Sequence, residues 1–364
     1  MSAIKRNIET KLDRLLELFP CVVIIGVRQG GKTTVTRNLK PDWHYFDLEK
    51  SSIYNRITDD YDFFFKEYNK QVIIDEAQLL PEIFSELRSA IDADREKKGR
   101  FIITGSSSFE LIKGVSESLA GRAAVIEIGT LKLNEYYQLP LSPFYTIFSQ
   151  PINELTIPFL RTLKSTITYD QVIDFFLMGG YPEPVLTDNK DLYNIWMENY
   201  FKLYVERDVR ELFPRLNLQK YRRFIRMLSS LSGTIINRSQ VGRSLDTSEV
   251  TIRDYLDIAH GSFIWRTIPS FEKSTSKSII KMPKGNFRDS GLSHFIQNIS
   301  TRAQLFDYPS VGTDWEAFIF EEIIKGIEAT MVTNWNYNYF RTKHGAEIDL
   351  ILDGPFGILP IEIK

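Results

Sequence analysis

The sequence predicts an α/β protein: a parallel sheet with helices on both faces, then a helical segment, then a small closing α/β unit. Three observations carry this expectation. Five short apolar runs (VVII, WHYFDL, VIID, FIIT and AAVIEI) recur between residues 22 and 129 with helix-length segments between them, the alternation that builds parallel sheets. The first run passes straight into the glycine-rich stretch GVRQGGKTT. At the other end, AEIDLIL and PIEIK alternate apolar and charged residues, the period of two expected of strands with one buried face.

Taken in order, residues 3–18 place Ile4, Ile8, Leu12, Leu15 and Leu16 at helical spacing before Pro20. This predicts an amphipathic helix lying on the sheet. After the five runs, prolines and aromatics crowd residues 139–158, read as an irregular connection or lid rather than a new core, with a boundary at 150. Residues 170–232 read as mostly helical, with GGYP at 179–182 as a tight turn whose glycines serve backbone geometry. Residues 234–288 read as short helices, a longer one, and two apolar strands, FIWRTI and SIIKM, joined by a Ser/Thr/Lys-rich turn. That order suits a winged helix-turn-helix. A further helix, WEAFIFEEIIKGI, falls within 311–328, ahead of the closing pair of strands. The expected division is therefore 1–150, 151–232, 233–300 and 301–364.

Composition narrows the function classes. At 364 residues with 43% hydrophobic and 25% charged residues, the chain is an ordinary globular protein of more than one core. Its single cysteine, Cys21, allows no internal disulfide, and with no charged-then-apolar leader a cytoplasmic location is expected. Its longest apolar runs, CVVIIG and FIITG, are far short of the roughly 20 residues that cross a bilayer, so no membrane partner is expected. The four histidines (His44, His260, His294 and His344) are scattered and suggest no zinc site. Net charge is −2, unevenly spread: residues 202–288 hold 17 Lys+Arg against 8 Asp+Glu, leaving 28 against 39 elsewhere. Such a basic island suits contact with phosphate backbones, and equally a solvated face or a docking surface for acidic neighbours.

The stretch Gly26, Val27, Arg28, Gln29, Gly30, Gly31, Lys32, Thr33 matches G-x-x-x-x-G-K-[ST] in full. Glycines let backbone N–H groups turn toward phosphate oxygens, and the helix that follows presents its positive end. Lys32 would reach the β- and γ-phosphates and the Thr33 hydroxyl would hold Mg²⁺, with Thr34 beside it in the same ATP-binding loop. The third and fourth runs end in Asp75-Glu76 and in Thr104, Gly105, Ser106. Asp75 would hold magnesium through water, Glu76 would act as general base, and Thr104 or Ser106 could bond the attacking water or the γ-phosphate.

This portion resembles the AAA-type P-loop ATPases. The resemblance implies that the FIITGSSS strand lies between the strands ending at Gly26 and at Asp75. It also draws attention to Arg122 in SLAGRAAVIEI. That arginine could stabilise charge on its own γ-phosphate or on a neighbour's in a homo-oligomer, or simply cap carbonyls at a helix end.

In the middle segment, Asp246 or Thr247 is the expected N-cap of the second helix of the helix-turn-helix. Ile252, Tyr255, Leu256 and Ala259 would face inward, leaving Glu249, Thr251, Arg253, Asp254 and Asp257 outside. Three acids against one arginine argue against reading of bases. The basic residues lie on the preceding helices (Lys202, Arg207, Arg210, Lys220, Arg222, Arg223, Arg226) and around the wing (Lys273, Lys277, Lys281, Lys284, Arg288). DNA, if bound, would be held by its phosphates; a protein partner at the winged helix is the rival.

At the C-terminus, Glu347 and Asp349 share one face of a strand, and Glu362 and Lys364 share a face of the next. Two carboxylates could converge on a divalent cation with an ammonium beside them, as metal-dependent phosphodiester hydrolysis requires. This resembles the restriction-endonuclease-like PD-(D/E)xK fold, which implies Asp349, Glu362 and Lys364 as motif residues and Glu316, in preference to Glu321, as the earlier acid. In order along the chain, GVRQGGKTT, IIDEAQ, ITGSSS, LAGR, GGYPE, the winged helix, KMPKGNFRDSGL and EID…IEIK resemble a prokaryotic AAA-family ATPase group. Its members carry a C-terminal domain of unknown function with such a nuclease-like core. Members continue beyond the ExK strand, so 301–364 is expected to be an incomplete nuclease-like domain. The implied function is an ATP-hydrolysing switch that repositions the later domains; the alternatives are an ATP-gated nuclease and a non-catalytic DNA- or protein-binding regulator.

Overall fold

The computed structural model describes residues 4–106, 114–187, 189–271, 282–342 and 344–364. The chain divides into two compact units, one made of residues 1–130, 138–140 and 328–331, the other of residues 131–137, 141–327 and 332–364.

The first unit is the parallel sheet. Helix α1 (Glu9–Leu18) precedes β1 (Cys21–Gly26), α2 (Lys32–Leu39), β2 (His44–Asp47), β3 (Val72–Asp75), α3 (Ile83–Asp92), β4 (Phe101–Gly105) and β5 (Ala123–Ile128). The strand order is β2-β3-β4-β1-β5, and every pairing is parallel. The strand ending in FIITG thus lies between those ending at Gly26 and Asp75, as the resemblance implied. Strands β1, β3 and β4 are buried along their full length, which is why they read as unbroken Val/Ile runs rather than alternating ones. Burial of each such side chain contributes about 1.5–3 kcal/mol. Helix α1 buries Leu12, Leu15 and Leu16. Just before it, the Arg6 guanidinium donates to the carbonyls of Gly30, Gly129 and Thr130 at 2.9, 2.9 and 3.2 Å, tying the start of the chain to the glycine-rich loop.

The second unit is mostly helical at first, including α4 (Tyr169–Met178) and α5 (Leu218–Ser229). There follow β6 (Thr234–Ile235), α6 (Arg238–Ser244), α7 (Glu249–Gly261), β7 (Trp265–Ile268) and β8 (Lys284–Phe287), whose strands form an antiparallel sheet in the order β6-β8-β7. Two expectations need correction here. The N-cap of α7 is Ser248, whose side chain accepts from the Thr251 N–H, and not Asp246 or Thr247. Asp246 instead adopts φ 50 in the turn, a conformation Asp tolerates well. The strand after β7 is Lys284–Phe287; most of SIIKM, together with Lys273, Lys277 and Lys281, lies outside the described residues. The inward set of α7 is as expected, with Ile252, Tyr255, Leu256 and Ala259 buried.

GGYP closes α4. Gly179 takes φ 72, and a Cβ there would lie 2.3 Å from Asp289 Oδ1, while the Gly180 N–H donates to Asp289 Oδ2 at 2.8 Å. Asp289 in turn caps α8 (Ser290–Ile296) through the Leu292 N–H. The glycines therefore serve close backbone approach, joining GGYP to FRDSG.

Helix α9 (Val311–Glu328) then packs against β9 (Asn336–Arg341), β10 (Glu347–Gly354) and β11 (Gly357–Ile361), an antiparallel sheet in the order β11-β10-β9. Tyr145, Ile147 and Phe148 are buried in this core with Phe320, Ile324, Leu350 and Leu352. The segment expected as an irregular connection or lid is thus core material of the second unit. Its aromatics are numerous because they fill that core; the first unit runs unbroken to Thr130 and takes up residues 138–140 and 328–331 again later in the chain.

Candidate nucleotide site

The site is built at the C-terminal ends of β1, β3 and β4. Gly26 ends β1, and a Cβ on it would meet the Ile128 carbonyl oxygen at 2.0 Å, so only glycine lets the loop leave between two packed strands. At the other end of the loop Gly31 takes φ 92 as the N-cap of α2, a conformation open to glycine. Lys32, 5% exposed, curls back and donates to the carbonyls of Gly26 at 3.0 Å and Val27 at 2.9 Å. Burial lowers its ammonium to about 8, against the opposing pull of Glu76 and Asp75. A cation held by its own loop in this way is positioned to exchange carbonyls for phosphate oxygens.

Asp75 is the hub of the site and is 3% exposed. Its Oδ2 accepts from the Thr33 hydroxyl at 2.7 Å and the Tyr45 hydroxyl at 2.5 Å. Its Oδ1 accepts from the Thr104 hydroxyl and from the Glu76 N–H. Glu76 adopts φ 56, a left-handed conformation whose cost is tolerated where function sets the geometry. Its carboxylate accepts from Gln78 Nε2 at 2.5 Å and from the Ser106 hydroxyl at 3.1 Å. The expected residues Lys32, Thr33, Asp75, Glu76, Thr104 and Ser106 are therefore brought together. Thr104 is fully buried and spends its hydroxyl on Asp75, so it orients that carboxylate instead of facing a water. A hydroxyl and a carboxylate in hydrogen-bond contact are hard oxygen donors, the set magnesium takes alongside phosphate oxygens. The residues present fit that ion.

Arg122 is elsewhere. It immediately precedes β5, whose residue Ala123 pairs with Cys21 at the start of β1 while Ile128 pairs with Gly26, so it stands at the opposite end of the strands from Gly26. Its guanidinium makes a bidentate pair with Asp92 of α3, both bonds 2.7 Å, and donates to the Ala120 carbonyl at 3.2 Å. A role on its own chain's γ-phosphate does not agree with this placement.

The C-terminal carboxylates form a second cluster. The ammonium of Lys284, a side chain 4% exposed, lies 3.1 Å from Glu316, 3.7 Å from Glu347 and 3.7 Å from Asp349. Burial raises the Glu316 carboxyl above its usual range, opposed by Lys284 and reinforced by Asp349 and Glu347. Asp349 also accepts from the Ile363 N–H at 2.9 Å. Glu362 and Lys364 are exposed. Glu321, set aside in favour of Glu316, is buried with Arg266 at 2.8 Å and Arg288 at 3.8 Å. Lys284, Arg266 and Arg288 are thus internal counter-ions, and Lys284 and Arg288 leave the basic surface expected around the wing. Among the described residues, no group of three or more His, Cys, Asp or Glu side chains is arranged to hold a metal ion.

Comparison with known proteins agrees with the geometry of the first site. Residues 19–137 match the family described as AAA domain. Residues 169–303 and 311–364 match two further families, each described as a domain of unknown function. The uncharacterized protein Rv2008c of Mycobacterium tuberculosis is 29% identical over 366 residues, covering 99% of this chain and 74% of the relative. The uncharacterized protein MJ1544 of Methanocaldococcus jannaschii is 25% identical over 268 residues, covering 70% and 57%. Among solved structures, the Walker-type ATPase of Pyrococcus abyssi aligns with a TM-score of 0.46 at 14% identity, over 79% of this chain and 94% of that one. The RuvB Holliday junction branch migration motor of Thermotoga maritima aligns with a TM-score of 0.31 at 16% identity, over 72% and 89%.

Sequence reasoning missed two residues of the first site and, at the second, named Lys284 and Glu347 without joining them. At the first site, Tyr45 lies in WHYFDL, two positions before Asp47, where strand alternation puts both on one face. Gln78 lies in DEAQ, two residues past Glu76. At the second cluster, Lys284 reads from sequence as surface charge, and Glu347 stands out only for its face of the strand. No local pattern separates a buried lysine from an exposed one; only the pairing of β8 into its sheet does.

Proposed function

We propose that this chain binds magnesium–ATP at residues 26–34 and hydrolyses it, and that the cycle acts through the second unit. The observation that carries this reading is the Thr33–Asp75 hydrogen bond at 2.7 Å beside the loop-bound Lys32. On nucleotide binding, the loop N–H groups and Lys32 hold the phosphates, Thr33 and Asp75 hold the magnesium, and Glu76 takes the proton of the attacking water. Bound there, magnesium would supply neutralisation of phosphate charge. Ser106 and Gln78 hold the Glu76 carboxylate toward that position. Lys32→Ala should abolish nucleotide binding or turnover, while Glu76→Gln should bind ATP and fail to hydrolyse it. Undiminished hydrolysis in both variants refutes the reading.

A second reading concerns the second unit. The order helix, β6, α6, α7, β7, β8, with sheet order β6-β8-β7, supports a winged helix-turn-helix. The outward face of α7 is acidic, and Arg253 and Arg238 pair with Asp254 and Glu249. Lys202, Arg210, Arg223, Arg226 and Arg243 are exposed. DNA bound by these would be held through phosphates, giving a steep loss of affinity with salt. A flat salt response would favour a protein partner. The antiparallel sheet β11-β10-β9 with α9 is compatible with a nuclease-like core, while Lys284 among Glu316, Glu347 and Asp349 argues against an active metal centre there.

A further inference from the structure

We propose that Tyr45 is a positioning residue for the magnesium–nucleotide, acting through Asp75; this rests on the ATPase reading above. Asp75 accepts four hydrogen bonds, from Thr33, Tyr45, Thr104 and the Glu76 N–H. That saturates its two oxygens, so a metal-bound water can reach Asp75 only if one donor leaves. Thr33 is the donor that leaves, since its hydroxyl is the loop's own oxygen for the ion. Once it turns away, Tyr45 is the remaining side-chain donor on Oδ2 and alone fixes that oxygen's direction.

The fold explains why a tyrosine does this. β2 is the edge strand beside β3, and Asp47 pairs with Asp75. Tyr45 stands two residues earlier on the same face, about 6.6 Å down the strand. A serine or threonine there would fall short, whereas a phenol spans the distance. The ring is held in turn by Arg37 of α2, whose guanidinium carbon lies 5.0 Å from the ring centre. The loop helix, the edge strand and Asp75 are therefore connected through one side chain.

Tyr45→Phe keeps the ring under Arg37 and removes only the donor. Manganese affinity, read by electron paramagnetic resonance in the presence of a non-hydrolysable ATP analogue, should weaken about tenfold, the loss typical when a ligand's supporting hydrogen bond is removed. Binding of the analogue without divalent cation should be unchanged, which also certifies the fold. Hydrolysis should fall at low magnesium and recover at high magnesium, a rescue that a general loss of stability would not give. Manganese affinity within about twofold of wild type, with wild type itself binding, overturns the Tyr45 assignment alone. A wild type that binds no magnesium nucleotide overturns the ATPase reading, and the proposal with it.

Discussion

The ammonium of Lys284 lies 3.7 Å from the carboxylate of Asp349, with both side chains buried. A lysine from β8 thus sits among carboxylates, Glu316 and Asp349, that a nuclease-like reading assigns to a divalent cation. Removing one partner of a buried ion network leaves charge uncompensated, typically at a cost of about 3–5 kcal/mol. Lys284→Ala should be destabilised by roughly that amount in denaturant titrations, and adding Asp349→Asn should recover part of it. Additive losses in the double variant would show that the two groups are not coupled.

The same contact predicts the outcome of a nuclease assay. Plasmid incubated with the wild-type protein and magnesium or manganese should be nicked no faster than with Asp349→Ala. Cleavage lost specifically on substitution of Asp349 would mean that Lys284 vacates the site in solution.

Arg122 gives a third test. Its bidentate pair with Asp92 and its position before β5 place it at the end of the strands opposite Gly26. Arg122→Ala and Asp92→Ala should therefore behave alike, with small shifts in melting temperature and hydrolysis per chain unchanged. A large loss of turnover in Arg122→Ala alone, dependent on protein concentration, would instead identify an arginine acting on a neighbouring copy.

These cases show where the sequence was legible. That Gly26, Lys32, Thr33, Asp75 and Glu76 converge could be read because a G-x-x-x-x-G-K-[ST] pattern fixes residue types at fixed spacing, and because Val/Ile runs buried on both faces announce parallel strands. Tyr145 and Phe148 could not, since a proline- and aromatic-rich segment reads the same whether it wanders over a surface or fills a distant core. Nor could Lys284, because its partners Glu316, Glu347 and Asp349 lie in elements far along the chain and only tertiary pairing brings them to it.

Asp314 predicts a pH dependence. Burial raises its carboxyl to about 7, with a Gln297 hydrogen bond pulling the other way, and its Oδ2 has no hydrogen-bond partner among the described residues. A carboxyl raised in the folded state binds its proton more tightly there than when unfolded. Its contribution is favourable to folding below the unfolded value, near 4, and is lost as pH climbs from about 4 to about 7. Asp314→Asn should change little at pH 4 and stabilise at pH 8, on the order of 2 kcal/mol. Equal effects at both pH values in thermal melts would contradict this.

Two glycines in the second unit make opposite predictions for the same substitution. A Cβ on Gly291 would lie 1.9 Å from the Met178 carbonyl oxygen and 2.8 Å from the Gly179 nitrogen. These are backbone atoms fixed by the GGYP turn and by Asp289, so nothing flexible can yield. Gly291→Ala should therefore cost at least the roughly 1–3 kcal/mol usual for overpacking. Gly312 lies in the first turn of α9, and a Cβ there meets nothing within 4 Å. Gly312→Ala should stabilise by about 0.5–1 kcal/mol through the reduced entropy of the unfolded chain. Denaturant midpoints of the two variants should move in opposite directions; movement in the same direction would show that the close approach of Gly291 to Met178 is not maintained in solution.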